Sequence, residues 1–245
     1  MIEKLFTESS LWEIYIGTVL YFTILYFGFA FLGAYFSRIY LPKHNIGHSQ
    51  SENKNYNTQI KREIRASIIS ILVFGFFGVV PKIFYDLNLV EINWEINWKT
   101  LPFEFIFIFI WNDFHFYCCH RLLHKKWFFK HVHIMHHHSH IPTPYSTYSF
   151  HWFEAFLLST VMILPMFFYT FSYITLLSLP VMSLFLNVLG HWNYDLFPAR
   201  KNILLKFSEH HSLHHSKVKG NFGFFLPYFD KLFKTELEDP LTKKQ

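Results

Sequence analysis

Cysteine is almost missing from this chain: of 245 residues only Cys118 and Cys119 carry a thiol. Adjacent residues can build neither a disulfide framework nor a CxxC site, so the pair reads as two small apolar side chains on a helix. Charge is scarce too, at 16% of residues, and it clusters between long apolar runs. With 51% hydrophobic residues and 32 Phe, this is the composition of lipid-facing helices rather than of a soluble core. There is no internal repeat, no dinucleotide fingerprint after a strand, and no haem- or flavin-binding segment. The net charge of +5 forms no basic stripe interleaved with base-reading groups. That excludes nucleic acid as the expected partner and favours an anionic membrane surface.

The apolar runs set out a topology. Leu11 to Tyr35 is too long for a signal-peptide core and lacks a basic leader, so it is expected to stay as a membrane helix. The polar stretch Arg38 to Arg65, with Pro42 and six Lys or Arg, reads as a cytoplasmic loop. Ala66 to Tyr85 is a second span, and the connection Asp86 to Thr100 carries Glu91 and Glu95 against Lys99, as an outer loop would. Leu101 to Cys119 returns the chain to Arg121, Lys125, Lys126 and Lys130. The tract from Ala155 to Leu189 contains Pro165 and Pro180, so a hairpin of Ala155 to Tyr169 and Tyr173 to Leu189 suits it better than one straight helix. Each half is shorter than the roughly 20 residues of a full crossing. Arg200, Lys201, Lys206, Lys217 and Lys219 then fall on the starting side. One orientation satisfies the positive-inside rule throughout. The expected fold is all-α, a polytopic membrane bundle of four or five helices with an outward N-terminus and a cytoplasmic histidine-rich helical cap. Residues 1–245 form one integral-membrane domain, with spans in 1–100 and a polar tail at 236–245.

Histidine is the residue in excess: there are 17, and fifteen of them lie between His115 and His215. HRLLH places His120 and His124 at i and i+4, on one helical face. HIMHH sets His133, His136 and His137 at i, i+3 and i+4, and HSLHH repeats that spacing with His211, His214 and His215. A single HxxxH pair is more often a surface pair than a ligand pair. Three boxes on one predicted side of the membrane, embedded in aromatic sequence, point to metal, because clustered neutral imidazoles otherwise need many hydrogen-bond partners. Imidazole suits iron, zinc, copper or nickel, and eight ligands exceed what one ion accepts, so two ions are expected.

The order HxxxH, HxxHH and distal HxxHH resembles the fatty acid hydroxylase/sterol desaturase superfamily of membrane di-iron enzymes. HSHIPTPYSTYSFHWFEA (138–155) and KGNFGFFLPYFDKLFKT (219–235) are similar to that family's stretches after the second and third boxes. The likeness covers about Trp111 to Thr235, so 101–235 is the expected catalytic region. It implies His120, His124, His133, His136, His137, His211, His214 and His215 as metal ligands and catalytic residues, and His191 of GHWNYD as a ninth ligand. His151, Glu154 and Asn221 are implied to support the ligands or line the substrate entrance. Asp113 lies seven residues before His120 and either orients a ligand imidazole or reaches the interface. His115 either lines the lipid path or packs in the bundle, and His131, His138, His140 and His210 stand out of register, as supporting or surface residues.

The resemblance further implies two iron ions (Fe2+/Fe3+), O2 as co-substrate and oxidation of an unactivated C–H bond to an alcohol or an alkene. The substrate would be a membrane lipid, sterol-like or fatty-acyl. Electrons would come from a separate donor, cytochrome b5-like or a ferredoxin with its reductase. The PTPYSTYSFH stretch leans towards sterol-desaturase-like members. Two rival classes are a membrane zinc hydrolase, which would usually need an HExxH-type glutamate that this chain lacks, and a metal transporter, whose ligands would lie near the bilayer midplane. A bacterial inner membrane and an endoplasmic reticulum membrane both suit the topology.

Overall fold

The computed structural model describes residues 2–52, 56–196, 207–223 and 225–237. Arg200, Lys201 and Lys206, assigned above to the basic side, lie outside these residues, as does most of the expected polar tail. After a short helix α1 (Ile2–Glu8), α2 (Leu11–Tyr35) starts at a capping box in which Ser10 and Glu13 satisfy each other's free amides. It runs on through a π turn, Phe36–Tyr40, and a last turn, Leu41–Lys43. α3 (Tyr56–Asp86) returns alongside it. The two axes come close because Gly78 presents no side chain: a Cβ there would meet Thr18 Oγ1 at 2.1 Å.

α4 (Leu101–Leu123) follows, then α5 (Trp152–Ser159), which continues through a 3-10 turn at Thr160–Met162 into Ile163–Met166, and α6 (Tyr173–His191). Three segments, Leu11–Lys43, Tyr56–Asp86 and Tyr173–His191, are long and apolar enough to cross a membrane, and Trp152–Met166 is a shorter apolar helix. α4 has the length, but Glu104, Asn112 and Asp113 lower its hydropathy, and all three are buried within the bundle. The architecture is therefore the expected all-α bundle with a histidine-rich end. One expectation is corrected. The Arg38 to Arg65 stretch is not simply a loop, because α2 extends to Lys43 and α3 starts at Tyr56, placing polar helical turns beyond the apolar runs.

The core joins α2, α3 and α6 around Tyr26, Phe74, Tyr148, Leu184 and Val188. Tyr26 and Tyr148 stack with centroids 5.6 Å apart, and the Tyr26 hydroxyl donates to the Tyr145 carbonyl at 2.8 Å. Contacts define the two ends. At one, Asn93 exchanges backbone hydrogen bonds with Phe171 and Tyr173, both 2.9 Å, and buried Glu104 accepts from the Ser172 amide at 3.0 Å and Thr175 Oγ1 at 2.6 Å. At the other, His48–Ser49 pairs antiparallel with Tyr194–Asp195 beside the histidines. There α7 (Phe207–Lys217) and α8 (Tyr228–Leu232) close the cap.

Candidate metal centre

Five elements carry the nine histidines to one place. His120 lies in the last turn of α4 and His124 is its C-cap. His133 ends a π turn, Phe129–His133, and His136 and His137 follow in the helical turn Ile134–His137. The second box was expected on plain α-helix; its first histidine instead ends a π turn, a local widening found frequently at functional sites. His191 is the last residue of α6, and His211, His214 and His215 lie on α7.

These rings form two nests. His120, His124, His133, His137 and His214 make one, and His136, His191, His211 and His215 the other; in each, one nitrogen per ring lies within 4.8 Å of all the others. The nests adjoin, with the His137 and His215 centroids 4.8 Å apart and those of His133 and His136 5.4 Å apart. Eight of the rings are buried, and His124 is partly so.

The nitrogens facing away from the nests show how the rings are held. His120 Nδ1 donates to the Phe222 carbonyl at 2.9 Å, His214 Nδ1 to the Gly220 carbonyl at 2.7 Å, and His191 Nδ1 to the Asn187 carbonyl at 2.9 Å. His133 Nδ1 donates to Glu154 Oε1 at 2.8 Å. With the proton on Nδ1, each of these rings turns a bare Nε2 lone pair inward. Inward-facing ring nitrogens then crowd together: His214 Nε2 lies 3.1 Å from His137 Nε2, and His211 Nε2 lies 3.1 Å from both His191 Nε2 and His215 Nε2. His133 Nε2 is buried with no hydrogen-bond partner. A buried bare nitrogen with no donor to meet it is costly unless a cation sits beside it, so the donor set fits a metal in each nest, and all-imidazole ligation suits iron, zinc, copper or nickel.

Burial, reinforced by repulsion from neighbouring rings, holds His133, His136, His211 and His215 well below the ordinary imidazole range. His137 is pushed down to about 2, again chiefly by burial. The rings are thus neutral and ready to ligate at any physiological pH.

The remaining candidates fall into place unevenly. Glu154 is the carboxylate that orients the His133 imidazole. Asp113 is directed elsewhere, its Oδ1 accepting from the Phe225 amide at 2.9 Å. His151 is outside both nests; it N-caps α5, its Nδ1 accepting from the Phe153 amide at 3.2 Å. Asn221, at φ 50°, accepts from the Leu237 amide at 2.7 Å and donates to the His210 carbonyl at 3.1 Å, tying the C-terminal segment to α7. His115 packs in the bundle against Thr160 Oγ1 at 3.1 Å, and His131, His138 and His140 are exposed. His210 instead meets buried Asp230 at 3.4 Å.

Two residues escaped the sequence reading. Asp230 binds the loop that supplies the Phe222 and Gly220 carbonyls. Glu63, on α3, accepts from Ser139 Oγ at 2.6 Å, from Gln59 Nε2 at 2.7 Å and from Thr143 Oγ1, holding the segment just after the second box. Both are single carboxylates with no spacing pattern around them. Asp230 lay within the 219–235 stretch already noted, and that position was its one available signal.

Comparison with known proteins agrees with the geometry. The sequence model of the fatty acid hydroxylase family matches residues 105–235, spanning all three boxes and His191. The chain belongs to the fatty acid hydroxylase family. Among its relatives, a Delta(7)-sterol 5(6)-desaturase of Gibberella zeae is 29% identical over 53% of this chain and 36% of its own length. Methylsterol monooxygenase 2-2 of Arabidopsis thaliana is 30% identical over 57% of the chain and 54% of its own length. A very-long-chain aldehyde decarbonylase of Oryza sativa is 30% identical over 50% of the chain and 21% of its own length. The chain thus spans less than two thirds of the length of these relatives. No solved structure matches it.

Proposed function

We propose that the chain is a membrane-bound, iron- and O2-dependent lipid oxidoreductase that hydroxylates or desaturates a C–H-rich substrate of the sterol or fatty-acyl type. The observation that carries this reading is the pair of adjoining, buried all-imidazole nests in a chain of this family. Iron, when bound, supplies the redox chemistry that turns O2 into an oxidant for an unactivated C–H bond; redox-inert zinc does not. The chain's own residues do the rest. Glu154 and the carbonyls of Phe222, Gly220 and Asn187 fix ring tautomers and orientations before any metal arrives. Phe129, Phe150 and Phe222 pack their rings against His124, His136 and His120, which keeps bulk water from the site. His120 and His191 end membrane-length helices, so a lipid chain reaches the nests laterally from the bilayer. The electrons come from a separate donor protein, cytochrome b5-like or a ferredoxin with its reductase.

The test has two parts. Purified protein should carry about two irons per chain and take up O2 in the presence of a lipid substrate. Mass spectra of lipids from cells with and without the gene should differ by one added oxygen or by two lost hydrogens, and His120→Ala and His211→Ala should abolish that difference. Zinc as the sole metal, together with ester or peptide cleavage, would sink the reading.

A further inference from the structure

Asp230 is fully buried at the foot of the cap, and its two carboxylate oxygens are engaged by four donors. Oδ1 accepts from the Phe222 amide at 2.8 Å and Thr235 Oγ1 at 2.7 Å; Oδ2 accepts from the Gly223 amide at 2.7 Å and His210 Nε2 at 3.4 Å. The backbone closes the same ring, with the Thr235 amide donating to the Asp230 carbonyl at 2.8 Å and the Asn221 amide to the Thr235 carbonyl at 2.9 Å. The loop from Gly220 to Gly223 is therefore wrapped around one carboxylate. Gly223 is required for the fit, since a Cβ there would meet both Asp230 Oδ2 and the Leu226 carbonyl at 2.8 Å.

The loop's outward carbonyls have a narrow destination. Phe222 holds His120 and Gly220 holds His214, and both rings belong to the five-histidine nest. In the other nest, His191 is oriented by its own helix through Asn187. Two of five ligands on one side thus depend on Asp230, while the described orienting contact on the other side does not.

We propose that Asp230 is a positioning residue that preorganises the five-histidine metal site selectively, through the Gly220–Gly223 loop, leaving the four-histidine site to be organised by α6 and α7. This rests on the metal-binding reading of the two nests. Removing the carboxylate frees the Phe222 and Gly223 amides, lets the loop relax, and takes the hydrogen-bond acceptors away from His120 and His214. A ligand that loses its supporting acceptor typically costs the site tenfold to a hundredfold in metal affinity.

The experiment uses the full chain in detergent, stripped of metal and titrated with cobalt(II), whose absorption counts occupied sites. Wild type should take up about two equivalents. Asp230→Ala should keep one site near wild-type affinity and weaken the other by about tenfold or more. Asp230→Asn, which retains an acceptor for Phe222 and Thr235 but sets an amino group against the Gly223 amide, should fall between. Gly223→Ala should reproduce the loss of one site. Gly78→Ala, which loosens the remote contact of α2 with α3, serves as the control for general destabilisation and should keep both sites. With a single cobalt bound to Asp230→Ala, histidine modification read by mass spectrometry should reach His120 and His214 while sparing His191 and His211. The proposal is overturned if Asp230→Ala binds both ions as wild type does, or if it loses both in step with a Gly78→Ala protein of equal thermal stability. A wild-type chain that takes up no cobalt would instead overturn the metal reading, and this proposal with it.

Discussion

Metal ligands are only as good as the groups behind them, and for the proposed ligand His133 that group is Glu154. Its Oε1 accepts from His133 Nδ1 at 2.8 Å, and both side chains are only 2% exposed, so no water replaces the carboxylate if it is removed. Glu154→Ala would leave a buried N–H unpaired and a ring free to turn, and metal affinity at the five-histidine nest should fall by about tenfold to a hundredfold. Glu154→Gln still offers an amide oxygen to Nδ1 and should recover most of that affinity. Equilibrium competition against a chelator reads both; an alanine variant with unchanged affinity would remove Glu154 from the ligand support. Asp113 was a second candidate from sequence, since a carboxylate seven residues before His120 lies on nearly the same helical face. Periodicity reports what shares a face, not what the face meets: Phe225 arrives from the far end of the chain and takes that carboxylate's Oδ1.

Among the elements, the polar turns beyond the apolar runs decide how the cap is held. Gln59, Arg62 and Glu63 lie on the first turns of α3, and Arg62 Nη2 donates to the His138 carbonyl at 2.9 Å while Glu63 takes the Ser139 and Thr143 hydroxyls. One helix end therefore clamps the segment that leaves the second box. Glu63→Ala would leave the buried Ser139 and Thr143 hydroxyls without their acceptor, and should destabilise the protein by about 3 kcal/mol. Glu63→Gln should recover roughly half of that, because one acceptor oxygen remains. Thermal unfolding in detergent measures both, and a loss below about 0.5 kcal/mol for the alanine variant would mean that the clamp carries no stability. This helix end was hidden in the sequence because Pro42, the Asn and Ser residues and the basic cluster all signal a loop. The histidines were legible for the opposite reason: i, i+3, i+4 spacing is a property of the helix itself, whereas the carboxylates of Glu63 and Asp230 acquire their roles through partners as far as 80 and 20 residues away.

For the whole molecule, the remaining question is which way the bundle faces. Its two ends differ sharply in charge. Around the histidines stand Arg38, Lys43, Lys61, Arg62, Arg65, Arg121, Lys125, Lys126, Lys130, Lys217 and Lys219. The opposite end, where Asn93 joins Phe171 and Tyr173, carries Glu91 and Glu95 beside Lys99, and its buried Lys82 is already paired with Asp86 at 2.6 Å. Lys and Arg near the ends of spans are retained on the cytoplasmic side, and acidic residues contribute little to that choice. The histidine end is therefore expected in the cytoplasm, the side from which the proposed electron donor would reach it. In a Cys118→Ser, Cys119→Ala background, a membrane-impermeant maleimide added to intact cells or sealed vesicles of known sidedness tests this directly. A cysteine at Trp98, which is 74% exposed at the acidic end, should react from outside, whereas a cysteine at the exposed Lys126 should react only after permeabilisation. The reverse pattern would invert the topology, and labelling of both positions from outside would mean that the chain does not separate its two ends across a bilayer.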